Sequence, residues 1–494
     1  MTTVSRPAGV APGGSVPAGP VPEGSVPAGP VLGGDALAEL AAGLAGAVST
    51  RPADLDTHGR DENHLDSVPP RAVVFAESRD DVVTTMRWAG RHGVAVIPFG
   101  TGTSAEGHVV PLGGEVTLDV SRMNRLVALC PEDFHAVVQP GLTRNGLNAR
   151  ARELGLMFPV DPGADASLGG MAATNASGTT TIRYGGMRAN TLAMEVVLAN
   201  GEVLRLGRAV RKSSSGYDLR GLFVGSAGTL GVITELTVAL HPVPEEVAVL
   251  RAFFPDVAAA VAGAIAAVGT GLPIARAELL DELTAGLLAE DVPGLVPDAP
   301  ALFLELHSST AAGLGTELEA ARLALLDAGA TTISVATAPA EREAIWAARH
   351  RLFWSIRRAF PGRRYLITDT AVPLSAIVEH ARVISELRTD LGLDVVTTGH
   401  VGDGNIHTVV AVAEGQDAPA ALFSDELVRH ALRVGGTCTG EHGIGVSKRQ
   451  YLATEHGDAA VWMARIKSLF DPANLLNPGK VLGPDLLSDA RAAR

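Results

Sequence analysis

His400 and His407 flank the segment Val401-Gly402-Asp403-Gly404-Asn405-Ile406. In one straight strand, residues at this spacing point to opposite faces. Gly402, Asp403, Gly404 and Asn405 instead favour a tight reversal, which aims both imidazoles at one point across a hairpin. A second polar knot, Gly440-Glu441-His442-Gly443-Ile444-Gly445, adds a carboxylate and a third imidazole. Two imidazoles and a carboxylate can hold a divalent cation with coordination positions left open, and the third imidazole can serve as a general base. The competing reading is a hairpin histidine pair without metal beside a surface Glu-His.

The whole chain limits what such a site can act on. Its 494 residues predict two or more domains. A formal charge of −14 and the lack of any Lys/Arg stripe exclude a nucleic-acid partner. Cys130 and Cys438 lie far apart without metal-type spacing, which fits a reducing compartment. The N-terminus lacks the apolar core of a signal peptide. The longest apolar run, 257–269, is too short to span a bilayer, so a cytoplasmic protein with no transmembrane segment is expected. Residues 1–34 repeat GSVPAGPV at 14–21 and 24–31 and should form a disordered Pro/Gly-rich tail.

The elements that must position the site begin with a helix over 35–48. Strands are predicted at 71–76, 94–98, 115–120, 136–139 and 231–240, with helices at 78–91, capped by Ser78, and at 143–154. Asn200-Gly201 predicts a type I′ turn between strands 194–199 and 202–206. This mixture is an α+β domain. Beyond Pro244, strand 249–254, helix 257–267, strands 274–279 and 302–306, helix 316–326 and strand 332–335 read as a ferredoxin-like β-α-β-β-α-β unit. An amphipathic helix over 341–358 carries Trp346, Arg349 and Phe353, and helices follow at 374–391 and 418–433. Trp346 and Phe353 are expected in the core of this cap domain.

Three glycine-rich stretches, 100–107, 161–170 and 175–181, fall in the first domain. Backbone N–H groups freed by glycine, with hydroxyls between them, suit a pyrophosphate. No Gly-Lys-Ser/Thr forms a P-loop, and no G-x-G-x-x-G opens a helix after strand 94–98. A nucleotide cofactor is expected; ordinary loops are the alternative.

The stretches 98–107, 161–170, 176–185 and 212–235 (KSSSGYDLRGLFVGSAGTLGVITE) resemble the flavin-binding domain of the vanillyl-alcohol oxidase/para-cresol methylhydroxylase (PCMH) flavoproteins. Within that family the similarity is greatest to the FAD-dependent D-lactate dehydrogenases of cytochrome type, with glycolate oxidase and D-2-hydroxyglutarate dehydrogenase as relatives. It runs from about 69 to 482. It implies an α+β fold with a two-subdomain PCMH-type FAD-binding domain at 67–245. A cap domain at 246–484 would follow, its last stretch (470–480) returning to the flavin domain.

The resemblance also implies FAD, bound noncovalently because Thr103 stands where covalent members carry histidine, although His108 lies nearby. Its contacts would come from Pro98, Gly100, Thr101, Gly102, Thr103, Ser104 and Gly107 in the first loop. Pro162, Gly163, Asp165, Ser167, Gly170, Met171, Thr174, Ser177, Gly178, Tyr184 and Gly185 would supply the next group. Gly228, Gly231, Ile233 and Asn477 complete it. His400, His407 and Glu441 match the family's ligands for a divalent metal, Zn or Mn, with His400 also beside substrate, and His442 matches its base. Arg349 matches the arginine for the substrate carboxylate, in competition with Arg351, Arg357 and Arg358. Lys448 would face flavin or substrate, or solvent, and Tyr365, Thr368 and Thr370 are candidate pocket residues.

The implied reaction is oxidation of a D-2-hydroxy acid, D-lactate to pyruvate, by proton abstraction at a metal-bound hydroxyl and hydride transfer to flavin N5. Glycolate and D-2-hydroxyglutarate are the alternative substrates. Cytochrome c, a quinone or an electron-transfer flavoprotein would take the electrons, and the enzyme could be a homodimer. Two readings of other classes stand beside it: a flavin-binding subunit of an electron-transfer complex, and a metal-stabilised binding protein without flavin.

Overall fold

The computed structural model describes residues 34–63, 68–292 and 294–492. Nearly all of the expected N-terminal tail, 1–33, lies outside the described residues. Four sheets organise the rest, and the chain is a mixed α+β protein, as its alternating strands and helices predict.

The first sheet orders Ala47–Ser49, Val73–Phe75, Val116–Asp119 and Val96–Phe99. Its last three strands run parallel, and helix Arg79–His92 makes the crossover between the second and the fourth. Ser78 caps that helix by accepting from the Asp81 N–H at 3.1 Å. Here the expected helix 35–48 is corrected. It ends at Ala42, because the buried Asp81 carboxylate captures the N–H groups of Ala45 and Gly46 at 2.8 and 3.2 Å. The chain after it pairs as a strand with Val73–Phe75.

The second sheet orders Leu126–Cys130, His135–Val138, Val232–Ala239, Thr191–Val197 and Val203–Gly207, all antiparallel. Its hairpin does not use a type I′ turn. Only Gly201 has a positive φ, and Asn200 does not. The Gly201 N–H donates to Leu198 O at 2.9 Å, and the Asn200 side chain accepts from the Glu202 N–H at 2.9 Å. This bond of Asn200 to its own backbone favours a type I turn followed by a glycine bulge.

The third large sheet has seven antiparallel strands in the order Thr332–Ala336, Glu246–Phe253, Ala301–Ser308, Ile274–Leu280, Val395–His400, Asn405–Val412 and Arg364–Ala371. The first four, with helices Val257–Gly269 and Ala311–Asp327 between them, are the ferredoxin-like unit; the last three extend it. One face buries Leu279, Leu304, Val395 and Val410 under those helices and Ile377–Asp390 and Asp417–Arg433. The other buries Leu280, Val396 and Val409 under Glu282–Leu288, Pro339–His350 and Leu352–Ala359. The expected helix 341–358 is therefore two helices, broken at Arg351 (φ −88°, ψ 3°). The break keeps Trp346 against Phe303 and turns Phe353 onto Tyr365, at ring-centroid distances of 6.4 and 5.6 Å.

The chain returns to the first sheet at its end. Val96 donates to Leu475 O at 2.7 Å, and Asn477 donates to Val96 O at 2.8 Å. The buried Lys467 ammonium ties this segment together through Asp471, Leu476 O and Thr229 O at 2.5, 2.8 and 2.7 Å.

Candidate active site

Strands Val395–His400 and Asn405–Val412 form the hairpin whose reversal the glycines predict. Gly404 has φ +89°, and a Cβ there would lie 2.2 Å from Val372 O, so no other residue fits. The reversal puts His400 and His407 on one sheet face, with ring centroids 5.0 Å apart. Glu441, from the loop after Cys438, reaches between them: its Oε1 is 3.5 Å from His400 Nε2 and 3.2 Å from His407 Nε2. One ligand atom from each residue lies within 4.8 Å of the others, so the donor set can close on one cation.

Two carboxylates that sequence reasoning missed hold this arrangement. Glu278, fully buried on the adjacent strand, sits 2.5 Å from His400 Nδ1 and accepts from Arg349 Nε at 3.1 Å. Burial opposes ionisation of Glu278, but His400 and Arg349 outweigh it and hold the carboxyl below its usual range. Asp369, fully buried on Arg364–Ala371, accepts from the N–H groups of Gly440 and Glu441 at 2.6 and 2.7 Å and from the Thr439 hydroxyl at 3.1 Å. It thereby fixes the loop that carries Glu441 and His442. Both were visible as lone carboxylates in apolar strands, ARAELL and RYLITDTA; only the register tells which face they take.

That register corrects two pocket candidates, Thr370 and Thr368; the third, Tyr365, has the parity of Asp369 and its hydroxyl is engaged elsewhere. Thr370 lies on the opposite face from Asp369 and bonds His380 Nε2 at 2.8 Å. Thr368 shares the Thr370 side of the strand, and the Tyr365 hydroxyl donates to Phe360 O at 2.6 Å. Lys448 is buried with its ammonium 2.6 Å from Asp369 Oδ1 and 3.3 Å from Glu106 Oε1. It is turned away from solvent and balances the buried carboxylates. Arg349 stands one residue from His350, and the structure gives its partner as Glu278; Arg358 instead lies near Asp291.

His442 lies beside the cluster, its ring centroid 5.3 Å from that of His407. Its Nδ1 is 3.5 Å from Asp369 Oδ1 and 3.6 Å from Glu106 Oε1. Burial disfavours the imidazolium, but Asp369 and Glu106 outweigh it and push the pKa up to about 9. Glu441 is held well below the usual carboxylate range, burial being overcome by His400 and His407. His400 is raised: burial opposes, and Glu278 and Glu441 win. His407 is lowered, by burial first.

A cleft of about 1230 Å³, counting its open mouth, leads from this cluster into the first domain. Its walls include Glu441 and His442 and most of the expected flavin contacts: Pro98, Gly100, Thr101, Gly102, Thr103, Ser104, Pro162, Ser167, Gly170, Met171, Thr174, Ser177, Gly228, Gly231, Ile233 and Asn477. Buried polar atoms of these lining residues, Ser104 Oγ, Ser167 Oγ and Asn477 Oδ1, have no hydrogen-bond partner among the described residues. A long, partly apolar ligand with polar groups along it fits such a lining.

Six expected contacts do not line the cleft. Gly107 N–H donates to Asp61 at 2.6 Å, Asp165 accepts from Asn145 N–H at 3.0 Å, and the Tyr184 hydroxyl meets His307 Nδ1 at 2.7 Å. Gly163 flanks Asp161, and the Gly185 carbonyl accepts from Asn190 at 3.2 Å. Gly178 (φ +129°) lies so close to Asp161 that a Cβ would be 1.7 Å from its carbonyl oxygen. The loop it permits brings the Ser177 hydroxyl to Glu441 Oε2 at 3.3 Å, linking the cleft to the cluster.

Residues 243–481 match the FAD linked oxidases, C-terminal domain, and residues 70–207 match an FAD binding domain. A probable mitochondrial D-lactate dehydrogenase of Danio rerio is 41% identical over 446 residues, spanning 88% of this chain and 89% of the relative. A mitochondrial D-lactate dehydrogenase [cytochrome] of Arabidopsis thaliana is 37% identical, over 86% and 76% of the two chains. Among solved structures, p-cresol methylhydroxylase with substrate bound superposes with a TM-score of 0.74 at 20% identity, over 91% of this chain and 97% of that one, a likeness of fold.

Proposed function

The chain belongs to the FAD-linked oxidases, and on that premise we propose that it is an FAD- and metal-dependent dehydrogenase of D-2-hydroxy acids, D-lactate first among them. The observation that carries the reading is the convergence of His400 and His407 on Glu441, which lines the cleft together with His442. When bound, FAD supplies the two-electron acceptor and the divalent cation the Lewis acid.

The chain's own residues do the rest. His400, His407 and Glu441 would hold the cation, which would act as a Lewis acid towards the substrate oxygens. Glu278 accepts from His400 Nδ1 and leaves its Nε2 as the ligand nitrogen. His442 takes the hydroxyl proton at the ring nitrogen away from Asp369 and Glu106, which orient the ring. Those carboxylates favour the protonated ring, and positive charge held by the adjacent cluster would act against them. Arg349 adds positive charge beside the site; its present partner, Glu278, leaves it as a local field before it is a direct clamp. FAD is taken as noncovalent, since the first loop carries Thr103 at the wall.

Anaerobic bleaching of the flavin tests the reading. D-lactate, glycolate, D-2-hydroxyglutarate and L-lactate are mixed with protein before and after chelation. D-lactate should bleach fastest and chelation should abolish the reaction. Faster bleaching by glycolate or D-2-hydroxyglutarate reassigns the substrate, bleaching by L-lactate alone overturns the stereochemistry, and undiminished bleaching after chelation removes the metal. A flavin that no hydroxy acid reduces would favour an electron-transfer subunit.

A further inference from the structure

His108 has no role in the chemistry above, yet it stands where that chemistry must occur. It is 4% exposed and lines both the long cleft and a smaller second cavity bounded by Asn175, Thr439 and Ile444. Its Nδ1 is buried and has no hydrogen-bond partner among the described residues. Its backbone is tied down and its ring is packed closely on one side. The His108 carbonyl accepts from Asn477 Nδ2 at 3.0 Å, and Gly443 approaches so closely that a Cβ there would lie 2.8 Å from His108 Nε2.

A neutral imidazole has one N–H and one lone pair, and leaving either unmet in the interior is costly. Burial keeps this ring neutral, pushing its pKa down to about 4 against the pull of Glu106 and Asp61. Glu441 and His442 share the cleft wall with it, so it faces the reacting end of whatever fills the cleft.

We propose that His108 is a cofactor-contacting residue whose ring N–H bonds the flavin ring system and raises its two-electron potential. The inference rests on the proposal that FAD fills the cleft. A donor aimed at a ring heteroatom that gains electron density on reduction binds the reduced form more tightly than the oxidised one. His108 thus tunes the acceptor, whereas His442 handles the proton.

The test uses holoprotein carrying His108→Leu, His108→Asn or His108→Gln, titrated anaerobically with dithionite against a reference dye, with visible spectra recorded throughout. Leu should shift the flavin bands and weaken the preference for reduced flavin about tenfold, a drop of about 30 mV for a two-electron couple. The Asn amide nitrogen takes the place of Nδ1 and the Gln amide nitrogen that of Nε2, so the one that matches the donor should recover most of the potential and the other should not. Where Leu does not fold, the Asn and Gln variants decide alone. Equal potentials in those two overturn the proposal, and so does a wild-type spectrum and potential in Leu. Failure of wild-type protein to bind FAD would instead sink the functional reading beneath it.

Discussion

Glu278 Oε1 lies 2.5 Å from His400 Nδ1, inside a sheet face where Glu278 is fully buried. The same carboxylate accepts from Arg349 at 3.1 Å, so one buried anion orients a ligand imidazole and an arginine together. Such outer carboxylates set the tautomer and basicity of a ligating histidine. Glu278→Gln should weaken divalent-metal affinity by roughly 10–100-fold. FAD content should stay unchanged, since Glu278 does not line the cleft. Metal titration of the purified variant, read by competition with a chelating dye, checks this; unchanged affinity would place Glu278 in packing alone.

Lys448 and Asp369 form a buried ion pair at 2.6 Å. Removing one partner of such a pair strands the other, at a cost of about 3–5 kcal/mol. Lys448→Met should therefore lower the unfolding midpoint markedly and loosen the 439–443 loop that Asp369 holds. A variant of wild-type stability with a raised KM for hydroxy acid would restore Lys448 to the substrate.

His442→Asn keeps a polar group of similar size and removes the base. Anaerobic reduction of the flavin by D-lactate should slow by about 10²–10⁴-fold, the range for a lost general base. Metal and FAD should remain bound at wild-type stoichiometry. Loss of metal from this variant would show that His442 is a ligand and that the base lies elsewhere.

Much of this was legible in the sequence because spacing and turn chemistry are local. The Gly404 reversal follows from residue types, and so does the shared face of His400 and His407. Glycine at 178 likewise signals a close approach without saying to what. Glu278, Asp369 and Glu106 were not read, because each acts across strands or loops far apart in the chain, and period-2 alternation cannot say which face meets which domain. Thr368 and Thr370 were chosen for their chemistry, yet Asp369 between them has the right parity. The helix over 341–358 reads as continuous because its amphipathic pattern is, and the break at Arg351 is dictated by packing against Phe303 and Tyr365.

Gly178→Ala puts a side chain into an unfavourable φ, costing about 1–3 kcal/mol, and into contact with the Asp161 carbonyl. The loop must shift, and with it Ser177, which touches Glu441. FAD should dissociate more readily from the variant on gel filtration, with metal affinity reduced as well. Full retention of both would show that the loop can move without the site.

On the far face of the cap sheet, His380 and His430 stack with ring centroids 5.1 Å apart and Nδ1 atoms 2.8 Å apart. One ring must donate and the other accept, so both cannot be protonated in the fold. His380 Nε2 is also 2.8 Å from the Thr370 hydroxyl, next along the strand from Asp369. Burial pushes His380 down to about 3, with His430 adding to the effect. Of the charged groups around the pair, Glu379 raises His430 while Arg433 and Arg382 lower it, after burial as the main cause. A folded-state pKa below the unfolded value of 6.5 means that the unfolded chain takes up the proton first as pH falls. The stabilisation is whole above about pH 6.5 and drains away towards pH 3. At about 1.4 kcal/mol per pH unit the loss is bounded by about 5 kcal/mol, and relaxation around the pair makes it smaller. His380→Gln, which can still meet Thr370, removes the titration. Its urea midpoint should lie below wild type at pH 7.5, and the gap should narrow at pH 5. Parallel midpoints across that range would show that the pair does not govern the acid sensitivity of the cap.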